Sequence, residues 1–492
     1  MINKKEFVRK YSRDLLEGQG AVFVGAGMSI PVGFVNWKEL LREIADDMGL
    51  DIELEHDLIA VAQYEFNRKR SRDTLDETIV RQFAKQAQLS NNHRLLARLP
   101  IDTIWTTNYD HVLEDAFREA QRRVDVKHRP EHLRRRNPYS DVTVFKMHGD
   151  VDESHNAVIT KDDYECYEVD REVFTVQLLS DLISKRFLFL GFSFTDPNLE
   201  YTFNRLRRLL SSDRHGAGNR EHYCILKKPT IDDYSDFKGT PKERDRVFEL
   251  DKSRFGHRVE DLKNYGIQTV GIERYEEVGE LLGELNRLIM TRTVMITGAA
   301  EVFEPKGEVF IDEFCRLLAR RLIRDGFDIV SGVGKGISGS IMIGAEEELA
   351  RPDIGRLGQR LRPFPFPYWM PAGHERDKYY AANRQEMTSQ GGVAIVICGN
   401  KLAPGSTSII DSTGVTDEVK LAEAAGQFVI PVGATGHAAR RIWEKVSTDP
   451  ESWISAADAA AEFAALGDES LDAEKLVGVV ICLIDKIRNI KS

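Results

Sequence analysis

Cysteine is scarce in this sequence, which has five cysteines in 492 residues: Cys166, Cys224, Cys315, Cys398 and Cys482. No two of them are close enough along the chain to form the C-x-x-C pairs from which structural zinc sites are built. We therefore expect no zinc and no other bound metal. Isolated thiols in a large acidic chain are typical of a reducing compartment, so we expect the protein to act in the cytoplasm.

Long apolar runs and excess positive charge are also lacking. No stretch reaches the roughly 18 apolar residues that a membrane span requires, and the formal net charge is −11. We therefore expect neither a membrane nor a nucleic acid as a partner, because phosphate backbones attract positive surfaces. A basic stretch runs from Arg118 to Arg136. We interpret it as a solvated helix and loop, and the alternative is a contact surface for an acidic partner.

Short apolar runs alternate with helical patterns along the chain, which predicts an α/β architecture. A helix that ends near residue 290 closes the first series of this alternation. We therefore predict two Rossmann-like domains, each a doubly wound parallel sheet, at residues 1–290 and 291–492. The predicted strands are 21–24, 103–106, 142–147, 187–190, 223–226 and 267–270 in the first domain, and 294–297, 328–331, 393–398 and 428–432 in the second.

Small polar clusters follow four predicted strands of the first domain, where doubly wound sheets bind their ligands. They are Gly25-Ala26-Gly27-Met28-Ser29, Thr107-Asn108-Tyr109-Asp110, His148-Gly149-Asp150 and the segment from Gly191 to Asp196. The first cluster predicts a loop whose glycines let the backbone approach a diphosphate, with Ser29 beginning the next helix. The alternative is that these glycines serve only the turn between strand and helix.

In this order, the four clusters resemble the sirtuin family over about residues 15–285. The resemblance implies that Asn108 orients an attacking water at the nicotinamide ribose, Asp110 helps to orient the nicotinamide end and His148 acts as the base. Histidine suits that task because its pKa is near neutral. The remaining matches would contact NAD elsewhere. These are Gly25, Ala26, Gly27 and Ser29 at the phosphates, Gly191 and Ser193 at the adenosine ribose, and Asp196 as support for that loop.

Two features of sirtuin deacetylases are missing. The sequence has no zinc-ribbon cysteines, and the Gly-Ile-Pro-Asp-Phe-Arg segment is replaced by residues 30–37, which read Ile-Pro-Val-Gly-Phe-Val-Asn-Trp. Both losses argue against a peptide substrate. We therefore expect NAD+ as substrate, with no further cofactor, and water as the acceptor.

The second domain contains a glycine-rich loop, Gly334-Lys335-Gly336-Ile337-Ser338-Gly339, between a predicted strand and a helix. It fits the G-x-G-x-x-G pattern of phosphate-binding loops, and Gly298 lies at the end of the first strand of the same domain. These features resemble the SLOG superfamily of nucleotide-binding domains over about residues 290–492. The Pro-Gly-Gly-x-Gly-Thr loop of the related hydrolases is absent, so we expect this domain to bind a nucleotide without cleaving it.

A sirtuin-like domain followed by a SLOG domain resembles the Thoeris antiphage effector family. The resemblance implies that a cyclic ADP-ribose isomer, made by a partner TIR-domain enzyme, binds the SLOG domain and activates NAD+ hydrolysis. It also implies a homotetramer or higher assembly. Arg384, Lys401 and Glu418 would bind the effector beside Gly298, Gly334 and Gly336. Two cations suit a diphosphate and a carboxylate suits ribose hydroxyls, although Arg384 and Lys401 could instead be ordinary surface residues.

Two other functions remain open from the sequence. One is a sirtuin-like deacylase or ADP-ribosyltransferase that acts on a protein, which the missing zinc ribbon disfavours. The other is a nucleotide-binding regulator without turnover, which the pair Asn108 and His148 disfavours.

Overall fold

The structure, a computed structural model, describes residues 1–135, 137–211, 221–351, 360–367, 375–448 and 459–488. Arg136, the last residue of the basic stretch, lies outside these ranges. The chain divides into two compact units, Met1–Asn286 and Arg287–Ser492. Each unit has its own parallel sheet and its own buried core, so the prediction of two Rossmann-like α/β domains is confirmed.

The strands of the first unit are β1 (Gly20–Val24), β2 (Thr103–Thr106), β3 (Val124–Lys127), β4 (Val142–Lys146), β5 (Arg186–Leu190), β6 (His222–Lys227) and β7 (Ile267–Ile272). Those of the second are β8 (Thr293–Ala299), β9 (Asp328–Ser331), β10 (Leu361–Pro363), β11 (Val393–Cys398), β12 (Asn400–Leu402), β13 (Ile409–Asp411) and β14 (Phe428–Pro431).

The first helices in chain order are α1 (Lys4–Leu16), α2 (Ala26–Ser29), α3 (Trp37–Asp47), α4 (Leu58–Lys69), α5 (Asp73–Phe83), α6 (Asn91–Arg98), α7 (Val112–Glu119), α8 (Pro130–Leu133), α9 (Lys161–Glu165), α10 (Tyr167–Asp170) and α11 (Glu172–Ser184). The others are α12 (Pro197–Ser211), α13 (Pro241–Asn264), α14 (Glu276–Met290), α15 (Glu308–Arg324), α16 (Ser338–Leu349), α17 (Arg376–Ser389), α18 (Thr413–Ala424), α19 (His437–Ser447), α20 (Ala460–Ala465) and α21 (Ala473–Arg488). Short 3-10 helices cover Ile30–Val32, Val151–Asn156, Ile231–Tyr234 and Gly433–Thr435.

The sheet of the first unit has seven strands in the order β3-β4-β2-β1-β5-β6-β7, all parallel. Its central strand β1 is buried at every position, because helices cover both faces of a doubly wound sheet. The carboxyl ends of β4, β2, β1 and β5 are therefore neighbours at one edge. Helices α3, α4 and α5 form a separate apolar cluster with residues near that edge, including Tyr109 and Val151.

The sheet of the second unit has five parallel strands in the order β10-β9-β8-β11-β14. Helices α15, α16 and α21 contribute to its larger apolar cluster, and α18 contributes to a second one. A two-stranded antiparallel ribbon, β12 and β13, follows β11. No helix among the described residues is long and apolar enough to cross a lipid bilayer.

The interpretation of the basic stretch as helix and loop is wrong in part. Residues Val124–Lys127 form β3, the edge strand that pairs with β4. Its four residues alternate valine with a charged side chain. Asp125 and Lys127 form an ion pair with 2.9 Å between Oδ2 and Nζ. A strand of this length carries too little periodicity to be recognised within a run of arginines. The strands β10, β12 and β13 could not be predicted either, because each has only three residues.

Candidate functional site

The loops after β1 and β2 meet through a side-chain hydrogen bond. Asn108 donates from Nδ2 to Oγ of Ser29 at 3.0 Å, and its own backbone amide donates to Oγ1 of Thr106 at 3.0 Å. Both Asn108 and Ser29 are buried. Ser29 ends the short helix α2, which starts at Ala26 directly after Gly25, and it is also the N-cap residue of the 3-10 helix Ile30–Val32.

Asp110 is buried in the same loop, and its two carboxylate oxygens are in different situations. Oδ1 accepts the backbone amide of Val112 at 3.0 Å, whereas Oδ2 is buried and has no hydrogen-bond partner among the described residues. Burial raises the pKa of Asp110, although the nearby ammonium of Lys146 opposes the shift. The unpartnered oxygen is ready to accept a hydrogen bond from an amide group.

His148 lies two residues beyond β4 and is 1% exposed. Its Nε2 atom has no hydrogen-bond partner among the described residues and lies 3.4 Å from Oδ2 of Asp196. The rings of Tyr164 and Tyr167 pack against the imidazole ring in T-shaped arrangements, at centroid distances of 5.5 and 6.2 Å. Burial lowers the pKa of His148 below its ordinary value, and the charge of Asp196 opposes this shift. The imidazole is therefore neutral at pH 7, as a base must be.

The loop after β5 brings Asp196 to this histidine. Oδ1 of Asp196 accepts the backbone amides of Asn198 and Leu199 and so caps α12, which holds the carboxylate in place. The hydroxyl of Tyr164 donates to Oδ2 of Asp196 at 3.4 Å. Ser193, the predicted ribose contact, is exposed and shares a hydrogen bond with Thr195 at 2.7 Å.

The glycines after β1 and β5 allow two backbone segments to touch. The amide of Gly27 donates to the carbonyl of Gly191 at 2.9 Å. A Cβ at Gly25 would lie 2.5 Å from that carbonyl, and one at Gly191 would lie 2.6 Å from the nitrogen of Met28. Gly191 also has a φ of +61°, which few other residues adopt. Packing alone therefore requires glycine at these positions.

A cavity of about 850 Å³ lies over this edge of the sheet, which is a usual size for a small-molecule site. Its walls include most of the predicted site residues, namely Ala26, Gly27, Ser29, Asn108, Asp110, Gly191, Ser193 and Asp196. Gly25 and His148 do not border it, and Tyr164 and Asp196, which do, both lie against the imidazole of His148. Further wall residues could not be predicted as site residues, because they are far apart along the chain and belong to no motif: Trp37, Tyr164, Lys227, Arg258 and Tyr275.

In the second unit, the glycine-rich loop lies between β9 and α16, as predicted. A Cβ at Gly334 would lie 1.9 Å from the carbonyl oxygen of Gly298, and one at Gly336 would lie 2.3 Å from that of Ala300. The backbone amide of Ala300 donates to the carbonyl of Lys335 at 2.8 Å. The loop is therefore packed against the end of β8, and this contact by itself accounts for the glycines.

The three charged residues predicted to bind an effector come together around the beginning of α18. Arg384 Nε lies 3.5 Å from Oε1 of Glu418, and its guanidinium is 3.0 Å from the position of a Cβ on Gly414. Lys401 donates to Oγ1 of Thr413 at 2.7 Å. These side chains are thus neighbours, although they come from α17, β12 and α18.

Glu418 has an internal partner that the sequence did not reveal. Its carboxylate accepts a hydrogen bond from Thr297 on β8, and the residue is only 7% exposed. Burial raises the pKa of Glu418, and Arg384 opposes that shift. The guanidinium of Arg384 also lies over the rings of Phe366 and Tyr380, at 5.1 and 5.8 Å from their centroids. Arg384 is therefore held by two aromatic rings and one carboxylate, which is not the environment of a free surface residue.

Comparisons with known proteins agree with this two-part organisation. Residues 102–253 match the SIR2-like domain model, and residues 277–487 match the model of the Sir2- and TIR-associating SLOG family.

Curated relatives match almost the whole chain. A protein of Bacillus cereus (strain MSX-D12) named NAD(+) hydrolase ThsA is 35% identical over 486 residues, which is 98% of each chain. Its namesake from Cytobacillus dafuensis is 36% identical over 99% of this chain and 97% of its own. A third, from Enterococcus faecium, is 35% identical over 99% of this chain and 100% of its own. With such identity over nearly their whole length, the chain belongs to the ThsA family of NAD(+) hydrolases.

Proposed function

We propose that this protein hydrolyses NAD+ to ADP-ribose and nicotinamide in the cytoplasm, and that a cyclic ADP-ribose isomer bound to the second unit activates it. NAD+ loss would then serve antiphage defence by abortive infection. One observation carries the catalytic part of this proposal. Asn108, held on Ser29, lies on the wall of a cavity of about 850 Å³ with Asp110, whose buried Oδ2 has no partner among the described residues, and the buried Nε2 of His148, at the next strand end, has none either. Family membership supports the same reaction.

The reaction breaks the bond between the nicotinamide nitrogen and C1′ of the ribose. The electron pair of that bond leaves with nicotinamide, which becomes neutral, and a cationic ribose carbon remains. The unpartnered oxygen of Asp110 suits the nicotinamide carboxamide, because a buried acceptor gains most from a new N–H donor. A fixed ring would favour the geometry in which this bond breaks.

Water would then attack C1′. The amide of Asn108 is anchored on Ser29 at 3.0 Å, so it can orient a water molecule without competing as a charge. His148 would take the proton that the water loses, and its lowered pKa keeps it neutral for this purpose at pH 7. His148 does not border the cavity, and Tyr164, which does, packs against its ring, so substrate would reach His148 only after the Tyr164 side chain shifts. Such a barrier suits an enzyme that must stay inactive until signalled.

The cluster around Arg384 supports control by a nucleotide. A cyclic ADP-ribose isomer carries a diphosphate, and both Arg384 and Lys401 lie beside the beginning of α18. Moving a population from about 1:99 to 99:1 needs roughly 5.5 kcal/mol of differential affinity. Two charge-assisted contacts of about 1.5–3 kcal/mol each approach that value. A TIR-domain partner enzyme would supply the effector.

Assembly into a homotetramer or larger oligomer is part of the proposal. Helix α11 supports it because the helix is apolar on two sides. Phe174, Leu178 and Leu182 are buried in the core of the first unit, whereas Val176 and Ile183 on the outside are 50% and 44% exposed. Exposed apolar side chains grouped on the outer side of a helix are typical of a surface that another chain covers.

The decisive experiment follows NAD+ and its products with and without a panel of cyclic ADP-ribose isomers. We expect ADP-ribose and nicotinamide in equal amounts, without acyl-ADP-ribose or labelled protein, and with strong stimulation by at least one isomer. An acyl-lysine peptide that stoichiometrically accelerates nicotinamide release would instead favour the deacylase alternative. No NAD+ loss under any ligand would favour a regulator without turnover.

A further inference from the structure

Lys146 is a completely buried lysine at the end of β4, two residues before His148. Its ammonium group lies 3.0 Å from Oε1 of Glu114 and 2.6 Å from Oδ2 of Asp150. It also donates to the backbone carbonyls of Tyr109 and Asp110, at 3.0 and 2.7 Å. Burial opposes its charged form, but the two carboxylates outweigh this effect and raise the pKa of Lys146.

A buried ion pair of this kind is weak evidence of stabilisation, because the cost of desolvation can exceed the attraction between the charges. The arrangement therefore calls for a reason other than stability. The two carbonyls indicate one, since they belong to the residues that directly follow Asn108. A single ammonium thus ties the loop that carries Asn108 to the strand that leads into His148.

We infer that Lys146 is a positioning residue of the hydrolysis reaction, which sets the placement of Asn108 relative to His148. This inference rests on the proposed function. Lys146 does not border the cavity, and its ammonium group is occupied by four protein oxygens. It acts through the backbone of Tyr109 and Asp110, because its ammonium group donates hydrogen bonds to both of their carbonyls. A shift of about 1 Å between reacting groups can cost about 10²-fold in rate, so a loss of this clamp should be visible in turnover.

The chain offers a matched control on the adjacent strand. Lys127, at the end of β3, is also a buried lysine, paired with Asp125 at 2.9 Å and bonded to the carbonyl of Arg135. It is in register with Phe145, the residue before Lys146. Among the described residues, the polar partners of Lys127 are Asp125 and Arg135, neither of which belongs to the candidate site, so Lys127→Met should lower stability without lowering turnover per folded molecule.

Two variants test Lys146 itself. Lys146→Arg keeps the charge but changes the geometry of the donors. The double variant Lys146→Met with Glu114→Gln removes the clamp without leaving Glu114 charged and unpaired, and Asp150 retains His111 at 3.0 Å. Turnover of NAD+ would be measured well below each melting temperature, in the presence of the same panel of cyclic ADP-ribose isomers. We expect kcat to fall by about 10²-fold and KM to change by less than about threefold.

A crystal structure of the double variant gives a readout that is independent of activity. We expect the Tyr109–Asp110 backbone to shift and the bond from Asn108 to Ser29 to lengthen from 3.0 Å. An unchanged loop, or wild-type kcat in folded variants, would overturn the inference. Failure of both variants to fold while Lys127→Met folds would also overturn it, since Lys146 would then serve stability alone. An inactive wild-type protein would refute the proposed function, and the crystal structure would still decide the role of Lys146.

Discussion

The imidazole Nε2 of His148 lies 3.4 Å from Oδ2 of Asp196, and both residues are largely shielded from solvent. Asp196 cannot easily move away, because its other oxygen accepts two amides at the beginning of α12. Because Nε2 of His148 has no hydrogen-bond partner among the described residues, the carboxylate acts on the histidine mainly through its charge. This relationship makes the ionisation of His148 depend on a residue 48 positions further along the chain.

The pH dependence of turnover should reveal that relationship. His148 must be neutral to accept a proton, and its pKa is lowered from 6.5, so NAD+ loss should persist at pH 6.5 and decline below it. Asp196→Asn removes the anion that favours the imidazolium, which lowers the pKa of His148 further and moves the acid limb to lower pH. The exposed Asp170→Asn, on α10, is the control. An acid limb that stays in place or moves upward in Asp196→Asn would contradict this account.

Asn108→Ala and His148→Ala should each reduce NAD+ turnover by at least about 10²-fold, the usual cost of losing an orienting group or a general base.

His93→Gln is a suitable control because His93 is also buried, with Nδ1 2.7 Å from Oγ of Ser90 and a pKa lowered to about 4 by burial. This control should retain turnover. Its stability should depend less on pH between 6.5 and about 4, where the native wild-type histidine binds fewer protons than the unfolded one. Normal turnover in both site variants would exclude the mechanism.

Gly191→Ala should cost both stability and activity, whereas Gly49→Ala should cost stability alone. Both glycines have positive φ angles, +61° and +72°, so each alanine brings backbone strain of about 1–2 kcal/mol. Only at Gly191 would the added Cβ also collide with backbone, 2.6 Å from the nitrogen of Met28. Thermal melting and NAD+ turnover on the same samples separate the two effects. Equal activity in the two variants would show that the contact between the β1 and β5 loops is dispensable.

Arg384→Ala should abolish activation by a cyclic ADP-ribose isomer and leave the basal rate of NAD+ loss unchanged. Arg384→Lys should rescue little, since an ammonium lacks the planar fork that binds a diphosphate. Arg376→Ala is the matched control, because Arg376 also lies over Tyr380, at 5.2 Å, but from an exposed position. The measurement is a titration of effector against the rate of NAD+ loss. A response of Arg384→Ala at the wild-type concentration of effector would remove Arg384 from the sensing site.

Much of the fold could be predicted from the sequence because buried parallel strands are continuous apolar runs. The predicted bounds of β2, β9 and β11 coincide with those in the structure. The clusters at the strand ends could also be found, since parallel strands carry their carboxyl ends to one edge. Asn108, Asp110 and His148 could therefore be predicted from their positions directly after apolar strands.

The sequence by itself thus determined two α/β domains, the strands of their sheets and the residue types at the edge of the first sheet. Only the tertiary structure decided which side chains face the cavity and which ones support them. Lys146 looks like an ordinary polar residue at the end of a strand until Glu114 and the carbonyls of Tyr109 and Asp110, 32 to 37 residues away, join Asp150 in surrounding it with oxygen atoms. Tyr164 and the rings over Arg384 escaped notice for the same reason. Local patterns follow the backbone period of 2 or 3.6 residues, whereas burial and electrostatic environment depend on elements distant along the chain.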